Sequence, residues 1–187
     1  MSELFPVVQI GYWLALSTWF GGVLFVAIAA PIVFRTVREA DPTLPTVLSV
    51  NLEGQHSTLL AGSIVANLLI ALTRLELLCS GVVLVTLAVQ LAKQWQPWTP
   101  AIIRAALLIG AIVLTIYDWR FVWPKIEKHR QEYIDNADNP DIANPAKERF
   151  DRYHNESVMI LMIVLALLLG MIVFSANISA ARAFISG

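Results

Sequence analysis

Four long apolar runs, near residues 7 to 34, 64 to 92, 101 to 123 and 157 to 176, occupy more than half of this 187-residue chain. They constrain its fold more than any other feature. A helix rises about 1.5 Å per residue, so about 20 apolar residues cross the roughly 30 Å hydrocarbon layer of a bilayer. Inside that layer every backbone polar group must be satisfied within the spanning structure, which leaves helices or closed barrels. Barrel strands read as short alternating segments; these runs are long and continuous. The sequence therefore predicts an all-α integral membrane four-helix bundle, antiparallel, as a single transmembrane domain over residues 1–187. Composition agrees, at 57% hydrophobic and 14% charged, against about a quarter charged in soluble domains.

The first run follows Met1-Ser-Glu-Leu-Phe-Pro6, which lacks a basic n-region, and it exceeds the length of a signal h-region, so it reads as a retained span. It carries Trp19-Phe-Gly-Gly22 and continues past Pro31 as a kinked helix through Phe34 and Arg35. Residues 36 to 58 read as a loop with a short helix at 45 to 52. The second helix is overlong: Leu59 to Lys93 would measure about 50 Å. Arg74 and Glu76 divide it, which puts 75 to 92 in the hydrocarbon and lays 59 to 73 along or above the interface. The turn Lys93-Gln-Trp-Gln-Pro-Trp-Thr-Pro100 carries two indoles suited to headgroup depth, and Tyr117-Asp-Trp-Arg-Phe-Val-Trp-Pro124 forms a second aromatic belt. Residues 125–155 are a polar loop. Within it Asn144-Pro145 reads as N-cap and first helical residue, so the last helix begins in the cytoplasm and then enters the membrane.

Lys and Arg in short loops favour the cytoplasmic side. Arg35, Arg38, Arg120, Lys125, Lys128, Arg130, Lys147, Arg149 and Arg152 fall on one face, against Lys93, Arg104 and Arg182 on the other. That bias puts both termini outside the cytoplasm, in a multi-pass protein of the cell (cytoplasmic or inner) membrane. A net charge of −1 gives no basic face for nucleic acid, and the lone Cys79 supports neither a disulfide framework nor a CxxC motif.

Charge near hydrocarbon is costly and marks places where a partner or a function is to be sought. Arg35, Arg74, Glu76, Asp118, Arg120, His154, Asn155 and Glu156 should gather near the cytoplasmic boundary, with Glu76 facing Arg120 and Asp118 facing Arg74. Such a cluster serves as a collar locking helix ends, as a vestibule for a solute or ion, or as a metal or haem site. His129, within Glu-Lys-His-Arg, reads as solvated. His56 and His154 precede spans two and four and are candidate metal ligands, with Met159 and Met162 as soft thioethers suited to Cu(I). Tyr12, Trp13 and Trp19 suggest an aromatic wall. No Ser-His-Asp order, phosphate loop or HExxH sequence supports an enzyme.

Several of these stretches resemble the transmembrane protein 205-like family, small four-helix proteins grouped around a domain of unknown function. They are Trp19-Phe-Gly-Gly-Val-Leu-Phe with Ala30-Pro31-Ile-Val-Phe34, Ala61-Gly62 with Leu75-Glu76-Leu-Leu-Cys79, Tyr117 to Pro124, and Phe150-Asp-Arg-Tyr-His154. That family is linked to resistance to drugs and metal compounds, which implies export or trafficking. Residues 40 to 60 look like an insertion relative to it. A wider likeness reaches the copper-resistance CopD-like group and the small haem-binding protoporphyrinogen oxidases, through Trp-x-Gly-Gly and Tyr153-His-Asn155-Glu156-Ser. Those haem proteins carry a histidine seven residues before the tryptophan, and Tyr12 stands in that place here, which argues against carrying over the haem. The likeness otherwise implies haem b or copper held through Tyr12 or His154.

Three expectations follow. The first is a non-enzymatic membrane protein, an accessory subunit or a handler of small solutes or metal compounds through its cytoplasmic polar cluster, with no cofactor. The second is a haem- or copper-binding redox protein of CopD-like type. The third is a transporter, which with four short helices requires a homo-oligomer or a larger membrane complex around the lipid-embedded chain.

Overall fold

Each apolar run forms a helix, and each helix extends beyond the run that seeds it. The computed structural model describes residues 4–43, 55–95 and 97–185, with the backbone alone for residues 177–185. Helix α1 spans Leu4–Ala40, α2 His56–Ala92 and α3 Trp98–Tyr117. A π-helical turn over Asp118–Val122 leads into α4, Trp123–Asp135, and α5 covers Pro140–Ile185. Among the described residues four helical stretches are long and apolar enough to cross a membrane, so this is a multi-pass membrane protein. The expected short helix at 45 to 52 lies outside the described residues.

Helix α2 is overlong as expected and runs through Arg74 and Glu76 over its 37 residues. Glu76 is buried, and the Trp19 indole donates to its Oε1 at 3.0 Å. Two local expectations are corrected. Helix α5 starts one Asn-Pro pair earlier than expected. The Asn139 carbonyl accepts from Ile142 and Ala143 and Pro140 opens the helix. Pro145 is then internal, beside the buried Ala143 and Ala146. Most of the polar stretch 125–155 is helix rather than loop: Val122 of the π turn and Ile126 and His129 of α4 are buried at helical spacing, and the chain returns through residues 136–139 into α5. The π turn precedes Pro124, which cannot donate a backbone hydrogen bond, and it is closed by the Trp123 N–H to the Asp118 carbonyl.

The chain divides into two compact units. The first takes the chain up to Leu24, Thr73–Ile116, and from Leu161 onward. Its core stacks Leu16, Trp19 and Val23 of α1 with Val83 and Leu87 of α2, Leu108 and Ala111 of α3, and Leu168 and Met171 of α5. The four helices of this unit, α1, α2, α3 and α5, alternate in direction: Tyr12, early in α1, meets Ser175, late in α5, and Arg104, early in α3, which itself reaches Gln90, late in α2. Apolar side chains such as Val7, Ile10, Leu78, Ile109 and Val173 point outward, as lipid-facing positions do. The second unit takes Phe25–Leu72 and Tyr117–Ile160. It buries Ala61 and Val65 of α2, Val122 of the π turn, Ile126 of α4, and Ala143 and Ile160 of α5.

Helices α3 and α5 approach closely by exchanging small for large. A Cβ on Gly110 would meet Leu167 Cδ1 at 3.4 Å, and one on Gly170 would meet Leu107 Cδ1 at 3.2 Å. Close approach of this kind is what replaces a hydrophobic driving force between helices in lipid. Gly170→Leu is expected to cost about 1–3 kcal/mol by overpacking, read as a lower midpoint when helicity is followed through a sodium dodecyl sulfate titration. Gly81→Leu, where an added Cβ meets nothing within 4 Å, should keep the wild-type midpoint. Equal midpoints for the two variants would remove this contact from the packing.

Candidate functional site

In the first unit, four helices each contribute a polar side chain to one buried centre. Tyr12 is fully buried, and Gln90, Arg104 and Ser175 are nearly so. The Tyr12 hydroxyl lies 2.8 Å from Ser175 Oγ, which also bonds the Met171 carbonyl at 2.6 Å. Arg104 donates from Nε to the Tyr12 oxygen at 3.2 Å and from Nη2 to Gln90 Oε1 at 3.2 Å, with its guanidinium carbon 4.5 Å from the Tyr12 ring centroid. Gln90 Nε2 reaches Gln9 Oε1 at 3.5 Å. A guanidinium suits this place because its planar fork bonds two partners and still stacks on a ring. Further along α1 and α2, Trp19 and Glu76 form the second buried polar contact, and Thr115 Oγ1 is buried without a hydrogen-bond partner.

The sequence counted Arg104 among the loop cations, and the structure corrects this: the residue is 1% exposed, inside α3. The signal that finds it is shared depth. Gln9, Tyr12, Gln90 and Arg104 are isolated polar residues near the same ends of their apolar runs, and polar groups in a span call for one another.

The second unit carries a cleft of about 270 Å³. Leu59, Val65, Leu69 and Ile126 give it an apolar wall, Phe34, Trp123, Tyr133 and Phe150 add aromatic rings, and Gly62 and Ala66 leave room. Glu127, Arg130, Lys147, Asp151 and His154 supply polar groups to the lining. Arg130 Nη2 donates to Ser63 Oγ at 2.6 Å, Tyr133 donates to Gln55, and Lys147 pairs with Asp151 at 2.7 Å. Beside it, His129 is buried, with Nδ1 3.0 Å from Glu132 Oε2 and its ring stacked on Tyr153, against the expectation that it is solvated. Lys125 sits 4.9 Å from the centroid of the same Tyr153 ring.

The eight residues of the expected polar cluster divide between the units. Arg74 and Glu76 belong to the first, and Arg35, Asp118, Arg120, His154, Asn155 and Glu156 to the second. The carboxylates bond to neutral groups. Glu76 accepts from Trp19, Glu156 from the Tyr117 hydroxyl at 3.0 Å, and Asp118 from Ser157, while Asp118 Oδ1 is buried without a hydrogen-bond partner. Arg35 meets Glu39 at 3.9 Å on an exposed face. Of the candidate metal ligands, His154 stacks on Phe150, and Met159 and Met162 are exposed at 65% and 53%. His56 opens α2. No group of three or more His, Cys, Asp or Glu side chains able to hold a metal occurs among the described residues. Tyr12, the haem-ligand candidate, is committed to Ser175 and Arg104.

Interhelical hydrogen bonds in membrane proteins couple by about 0.6 kcal/mol on average and up to about 1.7. A double-mutant cycle of Tyr12→Phe and Ser175→Ala should return a coupling in the upper part of that range. Strict additivity of the two single changes would show that the bond contributes nothing.

A family model described as a domain of unknown function (DUF4149) matches residues 14–134, a stretch that includes Trp19, Glu76, Arg104 and the α2 and α4 sides of the cleft. No curated protein and no solved structure matches the chain.

Proposed function

The chain belongs to the DUF4149 family, and from that premise we propose that it is a non-enzymatic membrane protein that takes a small amphipathic solute into the cleft of its second unit. The observation that carries this reading is the lining itself. An apolar and aromatic wall shares one cavity with two cations and two carboxylates. Small-molecule sites are built in that way, mostly apolar with a few placed polar groups. The resemblance to the transmembrane protein 205-like family, with its link to drugs and metal compounds, points to the same broad role.

Size limits the occupant. At about 270 Å³ the cleft is slightly under the roughly 300–1,000 Å³ of common ligand sites. That suits a single short chain with its head group, not a whole two-chain lipid. All nine cations assigned to the cytoplasmic face lie in the second unit. By the positive-inside bias this unit, with its cleft, faces the cytoplasm.

Gly62 lines the cleft, and an added Cβ there meets nothing within 4 Å. Gly62→Phe should therefore fill the cleft. In nanodiscs, short-chain amphiphiles below their micellar concentrations should bind wild-type protein saturably by calorimetry, after subtraction of empty discs, and Gly62→Phe should reduce that binding at least tenfold. Ala66→Leu gives a milder version of the same test, and unchanged helicity verifies that each variant is folded. Equal binding to wild-type and filled variants would contradict the proposal.

A further inference from the structure

We infer that the cleft of the second unit selects an amphiphile with a zwitterionic head group, an anionic phosphate seated at Arg130 and a cationic ammonium at Glu127. The inference rests on the cleft being the binding site proposed above and names the class of its ligand.

Four formal charges line the cleft apart from His154, and they are not equivalent. Lys147 and Asp151 neutralise one another at 2.7 Å, one turn apart on α5. Arg130 and Glu127 do not: among the described residues neither takes part in an ion pair, and the Arg130 guanidinium donates to the neutral Ser63 hydroxyl. Both stand on α4, three residues apart, on the side that lines the cavity. The cleft thus offers one half-buried cation with donors to spare and one carboxylate, both facing the same space. A guanidinium in that state takes a phosphate or carboxylate by charge-assisted hydrogen bonds. A carboxylate beside aromatic rings takes an ammonium, and the rings of Trp123, Tyr133 and Phe150 add cation–π attraction.

A purely anionic head would satisfy Arg130 but be repelled by Glu127. A purely cationic head would do the reverse. A head carrying both charges a few ångströms apart meets each without repulsion. The apolar wall of Leu59, Val65, Leu69 and Ile126 then takes the chain, which distinguishes the ligand from a free phosphate ester.

The test uses full-length protein in nanodiscs and four soluble probes below their micellar concentrations: hexanoyl lysophosphatidylcholine, hexanoyl lysophosphatidic acid, hexyltrimethylammonium and the chainless glycerophosphocholine. The zwitterionic lysolipid is expected to bind most tightly, with the chainless head at least about tenfold weaker. Arg130→Gln should weaken the zwitterionic probe about tenfold, the loss of one charge-assisted contact. Glu127→Gln should weaken it about threefold, yet leave the lysophosphatidic acid unchanged or bound more tightly. That opposite response is one a merely structural role for Glu127 would not produce.

If the anionic probe binds as tightly as the zwitterionic one, or if Glu127→Gln weakens both alike, the head-group assignment is overturned while binding in the cleft stands. If no probe binds in a way that Gly62→Phe abolishes, both fall.

Discussion

Polar groups inside a lipid-facing bundle have no water to fall back on, and the way this chain meets that constraint organises its first unit. On insertion scales an arginine at the centre of a spanning helix costs about 2.5–3.5 kcal/mol. Arg104 stands early in α3 with 1% of its surface exposed. Its cost is offset by a Tyr12 ring beneath the guanidinium, by hydrogen bonds to Tyr12 and Gln90, and through Tyr12 by Ser175. Because these residues come from α1, α2, α3 and α5, the same bonds fix the register of four helices. Apolar packing in lipid does not fix register well, since leucine against leucine is little better than leucine against acyl chain.

The second unit treats its polar residues differently. There the helices continue past their apolar runs into α4 and the first turns of α5, and many charged side chains are exposed. Lys147 and Asp151 form an i,i+4 pair at about half exposure, a geometry that contributes a few tenths of a kcal/mol. Among the described residues Arg130 and Glu127 stay uncommitted to any ion pair. In the first unit Tyr12, Gln90, Arg104 and Ser175 close upon one another. In the second they border a cavity, which is why ligand binding is proposed there and a structural role falls to the Arg104 centre.

Much of the fold was legible in the sequence. The four runs are long enough that length alone selects helices, and α2 and α3 follow one another across the short Pro-rich segment as expected, with Trp98, Thr99 and Pro100 already in α3. What misled was local competition. Asn-Pro occurs at 139–140 and again at 144–145, with the same capping chemistry, and only the burial of Ala143 and Ala146 decides between them. His129 looked solvated inside a charged tetrapeptide, although Val122, Ile126 and His129 repeat at helical spacing. The cleft was not legible at all, since it arises where Gly62 and Ala66 leave space between helices.

Arg104 is a buried junction of helices. Its side chain reports on this directly, through hydrogen exchange of the Arg104 Nε–H in arginine-labelled protein, the resonance being assigned by its loss in Arg104→Lys. A proton donated to the buried Tyr12 hydroxyl at 3.2 Å should exchange with water far more slowly than that of Arg152, which is exposed. Exchange as fast as that of Arg152 would place the guanidinium in water and leave the four helices without the polar junction described for them.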